Sequence, residues 1–175
     1  MAARRERVDP VFRPATPSDV DALTELERAA SLAALGHIFP PDAYPYPSEQ
    51  VRARWVEVVE DPAVVVEVLE DELRPGRLVA LVAFDADRVR HLAVSPRHWR
   101  QGHARRALAV ATGRMAQPRL WVLARNHRAR AVYEHLGWTP TGRTGRAEWP
   151  PHPEEIELAH PGAAPGPPQP TPDHP

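Results

Sequence analysis

The sequence predicts a mixed α/β domain with the element order β-α-α-β-β-β-α-β-α-β-β. Three observations carry this prediction. Two β-branched apolar runs, AVVVEVLED and RLVALVAFD, flank a turn-forming Arg-Pro-Gly and read as a hairpin. Several other segments repeat apolar residues at helical spacing. In the second half, short apolar strands (VRHLAV and RLWVLA) alternate with such helical segments.

The elements follow in order. VFRPAT reads as a short strand. TPSD then starts a helix, with Thr16 as N-cap, Pro17 at the first helical position and Asp19 closing a capping-box-like pattern. Leu23, Leu26 and Ala30 continue it at helical spacing. HIFPPDAYPYPSEQ is a Pro- and aromatic-rich loop, and Ser48 caps a second helix with Val51, Trp55, Val58 and Val59 on its inner face. The hairpin and VRHLAV come next. A helix is predicted over Gly102 to Met115, with Ala104, Ala107, Leu108, Ala111 and Met115 on one face. RLWVLA is another strand. Asn126 caps a helix that turns Ala129, Val132, Tyr133 and Leu136 inward and ends at Gly137. A final pair of short strands brackets GRAEWPPHPEEIEL.

The chain has 175 residues, enough for one domain with a sizeable core. Residues 10–160 are expected to form it. Residues 1–9 are expected to be a flexible arm. Residues 161–175, PGAAPGPPQPTPDHP, lack the apolar groups to offset ordering entropy and are expected to be a disordered tail. A net charge of −1 gives no global field toward nucleic acid or an acidic membrane, so any anion site must be local. The absence of cysteine excludes disulfides, thiolate nucleophiles and cysteine metal sites. No apolar run has membrane-spanning length, no signal-peptide pattern is present, and the expected location is cytoplasmic. The histidines are scattered without metal-ligand spacing, so no metal is expected.

The stretch SPRHWRQGHARRAL, residues 95–108, is the unusual one. Helix N-termini carry unpaired N–H groups and partial positive charge, and usually attract Asp or Glu. Here Arg100, Arg105 and Arg106 crowd the first turn instead, with no carboxylate near. That arrangement becomes favourable when an external anion binds the N–H groups. Gly102, having no Cβ, lets a phosphate approach the backbone, and small Ala104 keeps the next position open. A solvated basic helix face is the competing reading, because every one of the 22 basic residues is arginine. Nucleic-acid phosphate is a further alternative, without any recognition-motif pattern behind it.

Two stretches resolve the pattern. HLAVSPRHWRQGHARRAL resembles the acetyl-CoA pyrophosphate loop of the GCN5-related N-acetyltransferase (GNAT) superfamily. LARNHRARAVYEHLGW resembles the Asn- and Tyr-containing block that follows it in that family. The resemblance covers residues 11 to 160. It departs from the family at Trp99, where the loop usually has Arg or Gln.

The resemblance implies an N-acetyltransferase moving the acetyl group of acetyl-CoA to a primary amine by direct attack in a ternary complex. A non-catalytic acyl-CoA-binding module of the same fold is the alternative, and a nucleic-acid-binding protein a more distant one. It implies that the backbone of Leu92, Ala93 and Val94, in a strand splayed from its neighbour, pairs with the pantetheine arm. Gln101, Gly102, His103, Ala104 and Arg105 are implied to bind the diphosphate, flanked by Trp99 and Arg100, while Arg97 and Arg106 either reach the adenosine 3′-phosphate or are simply solvated. Asn126 contacts the cofactor, caps its helix, or does both. Tyr133 is implied as the general acid that protonates the departing thiolate. The Val94 N–H would polarise the thioester carbonyl.

For the base, members of this family use a Glu, a His or a water chain. His91 and Glu148 are the candidates, with His37 behind them. Where some protein N-terminal acetyltransferases of this fold carry glutamate, this chain has Leu123. The acceptor groove is expected between HIFPPDAYPYPSEQ and RTGRAEWPPHPEE, bringing Phe39, Tyr44, Tyr46, Trp149, Asp42, Glu49 and Glu148 to a small-molecule or peptide amine. No nucleic-acid or membrane partner is expected, and a homodimer is compatible with the fold.

Overall fold

The computed structural model describes residues 11–162. The expectations for residues 1–9 and for the tail beyond Gly162 lie outside the described residues. The observed elements are β1 (Arg13–Pro14), α1 (Val20–Leu35), α2 (Ser48–Glu60), β2 (Val65–Glu70), β3 (Leu78–Phe84), β4 (Arg88–Val94), α3 (His103–Thr112), β5 (Arg119–Leu123), α4 (His127–His135), β6 (Thr139–Arg146) and β7 (Glu154–Ala159). Their order is the one the sequence predicts. Short 3₁₀ turns, Pro17–Asp19 and Pro96–His98, lead toward α1 and α3.

The strands form one seven-stranded sheet in the order β1-β2-β3-β4-β5-β7-β6. Every neighbouring pair is antiparallel except β4 and β5. Strand alternation divides the core between the two faces of the sheet. Leu81, Ala83 and Ala93 pack with Leu23, Leu26, Val51 and Trp55 of α1 and α2. Val82, Val89 and Leu120 pack with Ala107, Leu108 and Ala111 of α3 and Tyr133 of α4. Fully burying a side chain such as Leu23 or Leu81 contributes about 2 kcal/mol.

Two boundaries differ from the sequence reading. Ser48 is the first helical residue of α2 rather than its cap, and no side chain caps that helix. The third helix ends at Thr112, and Met115 is buried from the turn that follows Gly113. Burial of the next apolar residue does not require the helix to continue, so the periodicity overran the end.

The parallel pair matters most for the site. Pairing of β4 with β5 stops after Arg88–Arg119 and Val89–Leu120. On its other side β4 stays paired with β3 as far as Ala80–Val94, with an extra residue, Arg90, bulged between Val89 and His91. A bulge bends the strand that carries it. Here it falls where β4 parts from β5, so the sheet opens in its middle. Arg90 is held outward by Asp85, with Nε donating to Oδ2 at 2.7 Å.

Candidate functional site

The opening between β4 and β5 is part of a cleft of about 1130 Å³. Elements from both faces of the sheet line it: α1 on one face, the α3 entry loop and α4 on the other. The cleft therefore passes through the sheet.

The direction of the β4 backbone groups follows from one bond. The Ser95 N–H donates to Val79 O at 2.8 Å, and the register pairs Leu81 with Ala93 and Ala83 with His91. Alternation then directs the Ala93 N–H and C=O at β3, and those of Leu92 and Val94 toward the opening. Of the three residues expected to offer free backbone groups, Ala93 is the exception: its groups belong to the β3 ladder. The Val94 carbonyl is already used, accepting from the Trp99 indole N–H at 2.8 Å.

Trp99 thus stands where a charged or amide side chain was expected, and it locks the end of β4. Its ring in turn carries the Arg128 guanidinium, 3.6 Å from the ring centre, a cation–π contact that ties the loop to α4. Beyond Trp99 the loop turns with two left-handed residues, Arg100 (φ 63°) and Gly102 (φ 82°). A Cβ at Gly102 would meet no atom within 4 Å, so the glycine is required by its backbone angle and leaves open space in front of α3. The first turn of α3 holds no acid, and no side chain caps it. Its leading N–H groups face the cleft with Arg100, Gly102, His103, Ala104 and Arg105 around them. His98 and His103 meet edge-to-face at 6.1 Å, and each has a buried Nδ1 without a partner. Burial, with Arg106 and His98 nearby, lowers the His103 pKa.

Asn126 caps α4, its Oδ1 accepting from the Ala129 N–H at 3.2 Å, and it lines the cleft. Tyr133 also lines the cleft from α4. No described group hydrogen-bonds its hydroxyl, and burial pushes its pKa up to about 12, so the phenol keeps its proton at neutral pH.

Other expected residues are placed differently. Gln101 is exposed and outside the cleft lining. Arg97 is exposed, and Arg106 lines a smaller hollow with Glu67 and Arg114. Glu148 is exposed in the β6–β7 loop and does not line the cleft. His91 does line it, but its ring packs on Trp55 at 5.0 Å. Burial, with Arg54 and Arg90 nearby, lowers its pKa to about 3, which makes it a weak proton acceptor. His37 is bonded through Nε2 to the Arg125 carbonyl at 3.0 Å, joining the α1–α2 loop to the β5–α4 loop. None of Phe39, Tyr44, Tyr46, Trp149, Asp42 or Glu49 lines the cleft. Tyr46 and Trp149 pack instead against the α1–α2 core.

Two residues of the cleft, and one beside it, were missed by sequence reasoning. Arg128 stacks on Trp99. Glu27 of α1 lines the cleft, its Oε2 accepting from Arg54 at 2.5 Å and from the Trp55 indole at 2.8 Å. Glu155 lies directly across from Leu123 in the β5–β7 register. Burial raises its pKa.

The sequence matches the model of the Acetyltransferase (GNAT) family over residues 23–138, and the chain belongs to that family. No curated protein matches it by sequence. Among solved structures, the ribosomal-protein-S18-alanine N-acetyltransferase from Escherichia coli is 21% identical with a TM-score of 0.62, over 89% of this chain and 96% of that one. NAA60 from Arabidopsis thaliana, in complex with acetyl-CoA, is 19% identical with a TM-score of 0.63, over 86% and 97%. A spermidine N-acetyltransferase SpeG variant from Vibrio cholerae is 19% identical with a TM-score of 0.59, over 86% and 94%. At these identities the likeness is one of fold. No helix among the described residues is long and apolar enough to cross a membrane.

Proposed function

We propose that this chain is an acetyl-CoA-dependent N-acetyltransferase that acts on an amine by direct attack in a ternary complex. The observation that carries this reading is the opened sheet: a cleft through the β4–β5 gap, with the uncapped, acid-free N-terminus of α3 at one mouth. A diphosphate suits that helix end, where unpaired N–H groups and Arg100 and Arg105 converge on the open space at Gly102. The residues present fit acetyl-CoA on this ground.

In this reading the free backbone groups of Leu92 hold the pantetheine arm with the Val94 N–H beside them, and Ala93 supports both from the β3 ladder. The Val94 N–H polarises the thioester carbonyl. The amine attacks the carbonyl carbon, the C–N bond forms and the C–S bond breaks. Tyr133 gives its proton to the departing sulfur and regains one from solvent. The proton lost by the attacking nitrogen leaves through water in the cleft, because Glu148 lies outside it and His91 packs under Trp55. Asn126 orients the cofactor with its amide N–H groups while its oxygen caps α4. Trp99 and Arg128 form the wall beside the diphosphate.

The test is acetyl transfer by Tyr133→Phe. The variant should lose at least about a hundredfold in kcat, with acetyl-CoA affinity within twofold of the parent. Unchanged turnover would remove Tyr133 as the acid and favour proton delivery from water.

A further inference from the structure

The two sides of the cleft differ in their charged groups. Arg100, Arg105 and Arg128 line the α3–α4 side. On the α1 side, Glu27 is the only carboxylate among the described residues that line the cleft, and Glu155, one strand beyond Leu123, does not reach its lining. Glu27 is also built in. Arg54 and Trp55 both bond its Oε2, and its side chain is only 20% exposed. Those two donors fix the carboxylate in place. No hydrogen bond of good geometry reaches its Oε1 from the described residues. The buried Tyr46 hydroxyl lies beside the carboxylate; burial, with the Glu27 charge, raises its pKa.

The surroundings of Glu27 limit what it can hold. Ala30 and Ala34 follow it on the cleft side of α1, and Trp121 and Leu123 face it from β5. This is an apolar bed with one anionic oxygen. A second ammonium group would find no second carboxylate along the lining, which also carries Arg90. Like charges in a partly desolvated cleft repel with little screening.

We infer that the free oxygen of Glu27 receives the ammonium group of the acceptor, and that the acceptor is a singly charged amine on an apolar body, not a polyamine. This rests on the acetyltransferase reading and names its substrate class. The amine enters from the α1 face and the cofactor from the α3 face, so the two meet in the gap of the sheet. A peptide α-amine and a small aryl-alkylamine share this chemistry.

The test measures acetylation by the full chain of three probes: an amide-capped Ala-Phe-Ala peptide with a free N-terminus, 2-phenylethylamine, and spermidine. Acetyl-CoA affinity is measured alongside. At least one monoamine should be acetylated, and spermidine should run at less than a tenth of its kcat/KM. Glu27→Gln should raise the KM for that amine at least tenfold, with acetyl-CoA affinity within twofold. Which monoamine is preferred separates the peptide from the small-molecule source.

Ser31→Glu leaves the Glu27 pairings in place and adds a carboxylate one turn along the cleft side of α1. It should raise relative turnover of spermidine at least fivefold, and it carries the test if Glu27→Gln fails to fold. Spermidine matching or exceeding both monoamines, neither monoamine reacting, an unchanged KM in Glu27→Gln, or no spermidine gain in Ser31→Glu would each overturn the inference. If acetyl-CoA fails to bind the parent chain, the acetyltransferase reading falls and this inference falls with it. If it binds and the amine pattern differs, only the inference fails.

Discussion

The entries to α1 and α3 face the same physical problem and meet it in opposite ways. Each helix begins with N–H groups that have no partner inside the helix. Ahead of α1 no side chain caps a helix N–H either, but the chain places its own carboxylates there. Asp19 accepts from the Thr16 N–H at 2.7 Å and from two Arg13 nitrogens at 2.9 Å, and Asp21 adds a carboxylate in the first turn. Ahead of α3 there is no acid, no side-chain cap and a left-handed glycine with open space beside it. The carboxylates at α1 offset the positive helix end from within the chain. At α3, with arginines and a cleft in front, the proposed acetyl-CoA diphosphate takes that part.

The comparison is broken most severely by filling the open end. Gly102→Glu places a side chain in a left-handed conformation and a negative charge where the diphosphate would sit. Acetyl-CoA affinity should fall at least a hundredfold by calorimetry, while the midpoint of thermal unfolding changes by only a few degrees. An affinity within threefold of the parent would mean that the anion sits elsewhere.

Asp19→Asn makes the complementary change at the closed end. The Arg13 hydrogen bonds, with those from Thr16, hold the Asp19 pKa down at about 2, below the ordinary 3.8. A carboxylate whose pKa is depressed on folding stabilises the protein above pH 4, and that contribution is lost as the pH falls toward 2. The variant should be less stable by about 2 kcal/mol at pH 7. Its stability should vary less than the parent's between pH 4 and 2. Acetyl-CoA affinity should not change. A loss of affinity in Asp19→Asn would erase the distinction between the two ends.

The smallest effect sharpens the comparison at a third helix entry. Asn126 closes α4 with its oxygen and also lines the cleft, so it shares the character of both ends. Asn126→Ala should cost about 1 kcal/mol as a lost cap and weaken acetyl-CoA severalfold. A stability loss with unchanged affinity would make it a cap alone.

How much of this was readable in the sequence depends on the range of each interaction. The element order was, because hydrophobic periodicity and turn residues are local. So were the Gly102 loop and the Asn126 cap, since each motif lies within a few residues of chain. The pairing of Glu27 with Arg54 was not. The two residues lie on separate helices, and helical spacing marks only the apolar faces of each. The Arg128–Trp99 stack and the Leu123–Glu155 register were hidden for the same reason. The direction of the Ala93 backbone groups follows from the β3 register, which side chains do not encode. Tyr46 and Trp149 were expected in the acceptor groove for their chemistry, but apolar area decided their place and packed them on the α1–α2 core.

The central claim is that the uncapped end of α3 holds the diphosphate of acetyl-CoA, and calorimetric titration of the parent chain tests it most directly. Acetyl-CoA and desulfo-CoA should bind with similar micromolar affinity, because the claimed contacts are to the diphosphate and the pantetheine arm, and ATP should bind far more weakly. Absence of acetyl-CoA binding, or equal binding of ATP, would contradict the account and return the arginines around Gly102 to a general anion site or a solvated face.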